Sequence, residues 1–292
     1  MLRTKGEKIF NVINIAFLSL LALLCLAPMI YMLAVSLSSN SAVAAGQVLF
    51  WPVKFTTASY NYLMSHAAFW QSMLVSVERV LLSLGVTLVV TVISAYPLSK
   101  SKEHFCGRTL FAWLFFIPML VNGGLIPTYM IIRTCNLLGT IWALVLPAAV
   151  VPFYVLLMLN FFRGIPNEME EAAMIDGAGQ WTILFKIYLP ISLPVLATVS
   201  VYCILGNWND WFQGIIYSKT PAQYPLMSYL QAFALNLDLS SLSSEEQQKL
   251  SAIGSDTYKA AQLFVATIPM LIIYPFFQKY FTKGLTIGSV KG

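Results

Sequence analysis

Charged residues are scarce in this sequence. They make up 10% of its 292 residues, against about 25% in ordinary soluble domains, whereas hydrophobic residues make up 58%. A soluble fold of that composition would have too few polar groups to cover its surface, so a soluble globular protein is excluded. The formal net charge of +5 comes from basic residues spread thinly along the chain. It therefore indicates orientation in a membrane rather than a nucleic-acid partner.

Cysteine and histidine are also rare. Cys25, Cys106, Cys135 and Cys203 lie far apart in the sequence, and the histidines are His66 and His104. No CxxC pair or Cys/His group exists, which excludes a structural zinc site. A membrane enzyme such as an intramembrane hydrolase needs a nucleophile and a base in adjacent spans. Both histidines lie near or outside the predicted membrane ends, so this class is disfavoured.

Long apolar stretches are abundant. A helix of about 20 residues crosses about 30 Å of hydrocarbon. Six stretches are long enough, and we predict spans near residues 10–37, 69–98, 107–132, 139–162, 190–217 and 260–281. The predicted fold class is therefore all-α, a polytopic integral membrane protein with six transmembrane helices.

Lysine and arginine set the predicted orientation, because they are enriched in cytoplasmic loops. With the N-terminus inside, the inner side carries eleven of them: Arg3, Lys5, Lys8, Lys100, Lys102, Arg108, Arg163, Lys186, Lys279, Lys283 and Lys291. The outer side carries five: Lys54, Arg133, Lys219, Lys249 and Lys259. Arg79 is left over, because it falls deep inside the second predicted span. The pattern predicts that both termini lie in the cytoplasm.

The N-terminus has a second interpretation, a secretory signal peptide. Its basic residues and the small residues at 42–45 resemble the two ends of such a peptide. The apolar run over 10–37 is much longer than the 7–15 residues, roughly, of a signal peptide's apolar region. We therefore predict an uncleaved transmembrane helix.

The domain organisation predicted is an N-terminal span with its outer loop over 1–68, followed by a membrane core over 69–292. The outer segments 38–68 and 218–259 are substantial. They are either simple connectors or a docking surface for a partner that delivers a substrate. In the second segment, Ser243 or Ser244 could cap a short surface helix.

A polar segment lies between the fourth and fifth predicted spans, over residues 166–190. Pro166 suits the first turn of a helix, because its missing N–H would be unsatisfied there in any case. Glu168, Glu170 and Glu171 follow, where the helix dipole stabilises acidic side chains. The segment is too polar and too broken to cross a bilayer.

The rest of this segment predicts two short helices joined by a turn. Ala172 and Ala173 contribute to a small apolar face that another protein could approach closely. Gly177 and Gly179 stop the first helix and permit a sharp turn. The residues from 180 to 188 can form a second helix. The regular spacing of residues in this segment indicates a surface to which a partner protein binds.

The pattern E-A-A-x3-G-x9-I-x-L-P resembles the cytoplasmic loop signature of ATP-binding cassette importer permeases. Its fixed positions are Glu171, Ala172, Ala173, Gly177, Ile187, Leu189 and Pro190. Further stretches are similar to carbohydrate-uptake permeases: 95–100 (AYPLSK), 123–127, 138–142, 207–212 (NWNDWF), 274–284 and 288–292. The last two resemble a branch tied to oligosaccharides released from polysaccharides, including uronate-containing ones.

This resemblance implies one of the two membrane subunits of a transporter. The family combines two permeases, here expected to be a heterodimer of homologous chains, with two cytoplasmic ATPases and an extracytoplasmic solute-binding protein. The segment 166–190 would be the coupling loop, with Glu171 meeting a basic residue of an ATPase and Asp176 and Gly177 at the turn. The chain has no G-x4-G-K-[ST] phosphate loop, so it is expected to bind no cofactor. ATP and Mg would be used by the partner ATPases, and this chain would be a multi-pass protein of the bacterial plasma membrane.

The substrate path has two interpretations. Asn207, Trp208, Asn209, Asp210 and Trp211 lie about 27 Å along a span that begins near Pro190. They could form an aromatic belt at the outer interface, or tryptophan faces and polar groups that contact sugar rings. Arg79 could face an acidic sugar, or its charge could be satisfied by a partner, since a charge inside a membrane is costly.

A different class of function is a six-span secondary carrier or channel that is not coupled to ATP. Paired acidic residues in the spans or an inverted repeat would favour it, and the sequence contains neither. It would also leave the segment 166–190 unexplained.

Overall fold

The computed structural model describes residues 5–101, 105–121, 123–234 and 253–288. Every regular element in these ranges is helical, which confirms the all-α fold class. The α-helices, numbered along the chain, are α1 (Lys5–Ser36), α2 (Asn40–Ala44), α3 (Ala58–Ser65), α4 (Ala67–Ser99), α5 (Arg108–Leu120), α6 (Leu125–Thr134), α7 (Trp142–Val145), α8 (Pro152–Arg163), α9 (Asn167–Ile175), α10 (Gln180–Ile183), α11 (Leu189–Ile191), α12 (Leu193–Asn209), α13 (Phe212–Tyr217), α14 (Leu226–Ala234) and α15 (Ser255–Gly288). The helix predicted at Ser243 or Ser244 lies outside the described residues.

Three described helices are long and apolar enough to cross a membrane: Gly6–Ser36, Ala67–Ser99 and Ser255–Gln278. Two further candidates are pairs of helices that bend at a short break. Trp142–Ala148 meets Pro152–Arg163 at 49°, and Gln180–Ile191 meets Leu193–Asn209 at 78°. The described helices therefore supply three to five apolar spans, as expected for an integral membrane protein.

The predicted span at 107–132 is divided in the structure. α5 ends at Leu120 and α6 begins at Leu125. Gly124 precedes α6 with a φ of 82°, a conformation that glycine adopts without steric cost. The glycine pair Gly123-Gly124 in the sequence predicts a break in this span, and the end of α5 and the start of α6 on either side of it confirm that break. Six crossings require α5 and α6 to form one interrupted span, and that count stays a prediction.

The chain forms two compact units. One comprises residues 1–70 and 232–269, the other residues 71–231 and 270–292. In the first unit, small side chains form a buried cluster: Ala34, Val35, Ala42, Val48 and Ala260. The hydroxyl groups of Ser36 and Tyr60 lie 2.8 Å apart and tie the end of α1 to α3. The predicted separate core over 69–292 stays a prediction.

The second unit is built around a core in which α8 and the residues before α12 pack against the end of α4. Its buried members include Ala95, Tyr96, Met158, Phe162, Ile183, Leu184 and Tyr188. The aromatic rings meet edge to face: Tyr96 and Tyr188 have centroids 5.1 Å apart, and Phe162 and Tyr188 have centroids 5.4 Å apart. Ala173 of α9 packs against this core.

One face of α4 is polar and buried. Its members recur every three or four residues: Ser72, Ser76, Arg79, Ser83, Thr87 and Thr91. Small hydroxyl side chains let helices approach closely in a membrane. This face, which includes Arg79, therefore packs inside the protein.

Candidate functional site

The polar segment predicted from the sequence forms α9, which runs from Asn167 to Ile175. Pro166 immediately precedes it, and Glu168 and Glu170 lie in its first turn. No residue of α9 is fully buried, and only Glu170 and Ala173 are half-buried. The helix therefore exposes most of its surface for a partner.

Backbone hydrogen bonds end α9 in a defined way. The N–H of Gly177 donates to the carbonyl of Met174 at 3.0 Å, and the N–H of Ala178 donates to the carbonyl of Ala173 at 2.9 Å. This pair of bonds is the Schellman motif, which needs a left-handed residue just past the helix. Gly177 supplies it with a φ of 78°. Gly179 has extended backbone and precedes α10, so the helix stop comes from Gly177 rather than Gly179.

We expect Gly177→Ala to destabilise the turn by about 1–2 kcal/mol, the steric cost of a left-handed conformation for a residue with Cβ. Gly179→Ala is the matched control. An added Cβ meets nothing within 4 Å at either position, so only the backbone conformation differs. Thermal unfolding of the two purified variants measures the difference. Equal melting temperatures would show that the left-handed turn contributes no stability.

The residues after Gly179 lead directly into the next span. α10 continues through a π-helical turn, Leu184–Tyr188, into α11. Ile187 and Leu189 pack against the core of the second unit, whereas Pro190 is exposed. The Leu-Pro pair does not begin the long helix, because α12 begins at Leu193 after the 78° bend.

Two adjacent glutamates of α9 have different surroundings. Glu171 is exposed and lines a cleft of about 410 Å³ together with Arg108, Arg163 and Lys100. Glu170 turns toward the core, where its carboxylate accepts hydrogen bonds from Lys100 Nζ at 2.6 Å and from the Tyr188 hydroxyl at 2.8 Å. Both charged side chains of this pair are 12% exposed.

The electrostatics of this pair favour its ionised state. Burial by itself would raise the pKa of Glu170, but the hydrogen bonds from Lys100 and Tyr188 hold that pKa below its ordinary value. Burial lowers the pKa of Lys100, and its hydrogen bond to Glu170 opposes that change. The stability contributed by the lowered Glu170 pKa is present above the ordinary carboxyl pKa. It is lost as the pH falls through the pKa of the folded protein.

Glu170, Lys100, Tyr96 and Tyr188 were not predicted to form a site. Glu170 was named only for the helix dipole and Lys100 for the orientation, and Tyr96 was quoted only within the AYPLSK stretch. The sequence did contain a signal for this ion pair, because the acidic Glu170 and the basic Lys100 both lie on the predicted cytoplasmic side. Sequence spacing could not show that the two side chains meet.

The predicted substrate-path residues do not share one surface. Arg79 is 1% exposed. Its guanidinium donates to Asp210 Oδ2 at 2.6 Å, to Gln213 Oε1 at 2.9 Å and to the Asp210 carbonyl at 3.2 Å. The other oxygen of Asp210 accepts the backbone N–H of Phe212 at 3.1 Å. Arg79 and Asp210 therefore hold the junction of α12 and α13 together.

The neighbouring residues divide between the interior and the surface. Asn207 and Trp208 are buried, with Trp208 3% exposed. The amide of Asn207 donates to the carbonyl of Cys203 at 2.9 Å, one turn earlier. Asn209 and Trp211 are exposed, so they are the members of this stretch that are open to a ligand in this chain.

An exposed aromatic group that was not predicted from the sequence lies on α12 and α8. Tyr202 and Phe153 are each about half exposed, and Tyr202 stacks on Tyr154 with centroids 6.4 Å apart. Tyr202, Gly206 and Asn209 are spaced as one face of a helix. Tyrosine is common in spans, so its identity alone did not distinguish it.

Similarity to known proteins defines the class of protein to which this site belongs. The model of the family described as the binding-protein-dependent transport system inner membrane component matches residues 2–287. The chain therefore belongs to this family, which confirms its resemblance to the permeases of ATP-binding cassette importers.

Individual relatives match over nearly the whole length. Protein LplC of Bacillus subtilis (strain 168) is 37% identical over 292 residues, which cover 100% of this chain and 98% of that protein. The polygalacturonan/rhamnogalacturonan transport system permease protein YtcP of the same strain is 35% identical over 98% of this chain and 99% of its own. A crystal structure of a bacterial ABC transporter involved in the import of the acidic polysaccharide alginate is similar with a TM-score of 0.87. Its sequence is 30% identical, and the match covers 96% of this chain and 99% of that chain.

Proposed function

We propose that this chain is the transmembrane permease subunit of an ATP-driven importer of oligosaccharides released from polysaccharides, with uronate-containing oligosaccharides as its cargo. The observation that supports the cargo most is full-length similarity to a permease named for polygalacturonan and rhamnogalacturonan. The similarity to an alginate importer at a TM-score of 0.87 also supports an acidic sugar.

The proposed topology has six crossings with both termini in the bacterial cytoplasm. α5 and α6 together make the interrupted third crossing. α9 then lies on the cytoplasmic side, between the fourth and fifth crossings. The excess of lysine and arginine on the predicted inner side supports this orientation.

The proposed partners are a second, homologous permease, two cytoplasmic ATPases and an extracytoplasmic binding protein. α9 docks on one ATPase, where Glu171 meets a basic residue. The chain itself is not catalytic and holds no cofactor, and ATP and Mg are used by the ATPases. Closure of the ATPases moves α9, and the permease pair then opens outward.

Physical chemistry favours the face of α12 with Tyr202 and Asn209 as part of the sugar path. Polar groups exposed inside a membrane span normally face a water-filled cavity or a partner rather than lipid. Tyrosine and phenylalanine rings can stack on the apolar face of a sugar, and an amide can bond its hydroxyl groups. Trp211, just beyond the end of α12, is a further exposed aromatic residue.

The test is ATP hydrolysis by the complete complex with its binding protein, reconstituted in proteoliposomes. The added sugars are oligogalacturonates, alginate oligosaccharides and neutral arabino-oligosaccharides. We expect stimulation by an acidic class, together with uptake of that sugar that requires ATP.

The other outcomes discriminate among the alternatives. Stimulation by the neutral sugar alone would retain the importer and remove the uronate cargo. Sugar uptake that proceeds without ATP would indicate the alternative, a secondary carrier.

A further inference from the structure

α9 is attached to the rest of its unit by few contacts. Ala173 and, just beyond the helix, Ala178 pack against the core. Among the polar contacts described for α9, those of Glu170 join the helix to two other segments of the unit. Lys100 directly follows α4, and Tyr188 ends the π-helical turn before α11. We call Glu170, Lys100, Tyr96, Tyr188 and Gln180 the latch.

The ammonium group of Lys100 is held on several sides. Its Nζ lies 4.1 Å from the centroid of the Tyr96 ring and 4.3 Å from that of the Tyr188 ring. The same Nζ is 2.6 Å from Glu170 Oε2. A cation placed over aromatic faces is attracted to them, more strongly where water is excluded. This arrangement fixes both the position and the direction of the ion pair.

The remaining contacts of the latch join α4 to α10. The Tyr96 hydroxyl donates to Gln180 Oε1 at 2.7 Å and lies 3.4 Å from the Gln180 carbonyl oxygen. Tyr96 belongs to α4 and Gln180 to α10. The latch therefore links α9 to the end of one span and to the start of another.

The adjacent glutamates Glu170 and Glu171 have different roles. Adjacent residues on a helix point about 100° apart. Glu171 is exposed, so it is available to a partner, whereas Glu170 is committed to this chain. A force applied to the exposed face of α9 can reach α4 only through contacts that resist sliding. Small apolar side chains such as Ala173 resist sliding weakly, and a directed ion pair resists it strongly.

We propose that Glu170 is a positioning residue that transmits the displacement of α9 to α4 through Lys100. This inference rests on the proposed function, in which α9 docks on an ATPase. Without the latch, the ATPases would still bind and hydrolyse ATP, but α9 would move without carrying the span. The expected defect is therefore loss of coupling between hydrolysis and transport, not loss of assembly.

The test compares uptake of oligogalacturonates with ATP hydrolysis in the same proteoliposomes. Glu170→Gln keeps the shape of the side chain and removes the charge that pairs with Lys100. We expect sugar transported per ATP hydrolysed to fall about tenfold, since a charge-assisted hydrogen bond is worth at least that factor. Glu168→Gln makes the same change at an exposed position of α9 and is expected to keep the wild-type ratio.

A second variant covers the case in which Glu170→Gln prevents assembly of the complex. Tyr188→Phe removes only the hydroxyl that donates to Glu170 and keeps the ring in the core. We expect the ratio to fall about threefold, the effect of one modest hydrogen bond. Charge exchange in Lys100→Glu/Glu170→Lys should restore part of the coupling that Lys100→Glu alone removes.

The proposal is overturned if Glu170→Gln, or Tyr188→Phe in its place, keeps the wild-type ratio of transport to hydrolysis. It is also overturned if Glu168→Gln lowers the ratio as much as Glu170→Gln, because loss of any negative charge would then explain the result. Failure of the proposed function gives a different result: the wild-type complex itself shows no ATP-dependent uptake.

Discussion

Glu171→Lys is expected to abolish sugar-stimulated ATP hydrolysis by the assembled importer while leaving the subunit folded. Glu171 is exposed on α9, and surface substitutions usually change stability by less than about 0.5 kcal/mol. The proposed partner residue on the ATPase is basic. Two like charges facing each other at an interface cost several kcal/mol, so stimulated hydrolysis should fall on the order of 100-fold.

The control is Glu168→Lys, which reverses a charge at another exposed position of the same helix. It should leave stimulation near the wild-type level if the effect is specific to the docking contact. Both variants are measured for expression, thermal unfolding and co-purification of the ATPases. Unchanged stimulation in Glu171→Lys would remove this residue from the docking contact.

Asp210→Asn is expected to destabilise the permease by about 3 kcal/mol. Removing one partner of a buried ion pair typically costs about 3–5 kcal/mol, because the remaining charge is uncompensated. Arg79 is 1% exposed, whereas the side chain of Asp210 is 24% exposed, so the lower end of that range applies. Thermal unfolding of the detergent-solubilised protein measures the loss.

The double variant Arg79→Met/Asp210→Asn tests whether the uncompensated charge of Arg79 causes this loss of stability. Asparagine can still accept the N–H of Phe212 at the start of α13, and methionine removes the buried charge. Most of the lost stability should therefore return. If the double variant is as unstable as Asp210→Asn, the uncompensated charge is not the reason. If Asp210→Asn is as stable as the wild type, the ion pair contributes nothing measurable.

The ion pair between Arg79 and Asp210 also bears on substrate recognition. The Arg79 guanidinium is bonded to Asp210 and Gln213 and is 1% exposed, so a sugar carboxylate cannot reach it in this structure. An acidic cargo would then be recognised by other groups in this chain or by its partner. The exposed face of α12 with Tyr202 and Asn209 offers stacking and neutral hydrogen bonds, which suit sugar rings of either charge.

Several features of the fold were predictable because their causes are local. Composition alone requires a membrane environment, since 58% hydrophobic residues cannot be covered by 10% charged ones. Gly177 marks the end of α9 because the left-handed conformation is a property of a single residue. Gly123-Gly124 likewise marks the break between α5 and α6. The bend before α12 was missed, because an apolar run looks the same whether its helix is straight or bent.

The amino-acid sequence by itself determined that this is a helical membrane protein with a family-specific loop at 166–190. Those properties depend on composition and on spacing within one helix. Only the tertiary structure decided that Glu170, not Glu171, pairs with Lys100, and that Arg79 meets Asp210, 131 positions away along the chain. Such pairings depend on how separate helices pack, and the free energy of burying a charge then selects the partner.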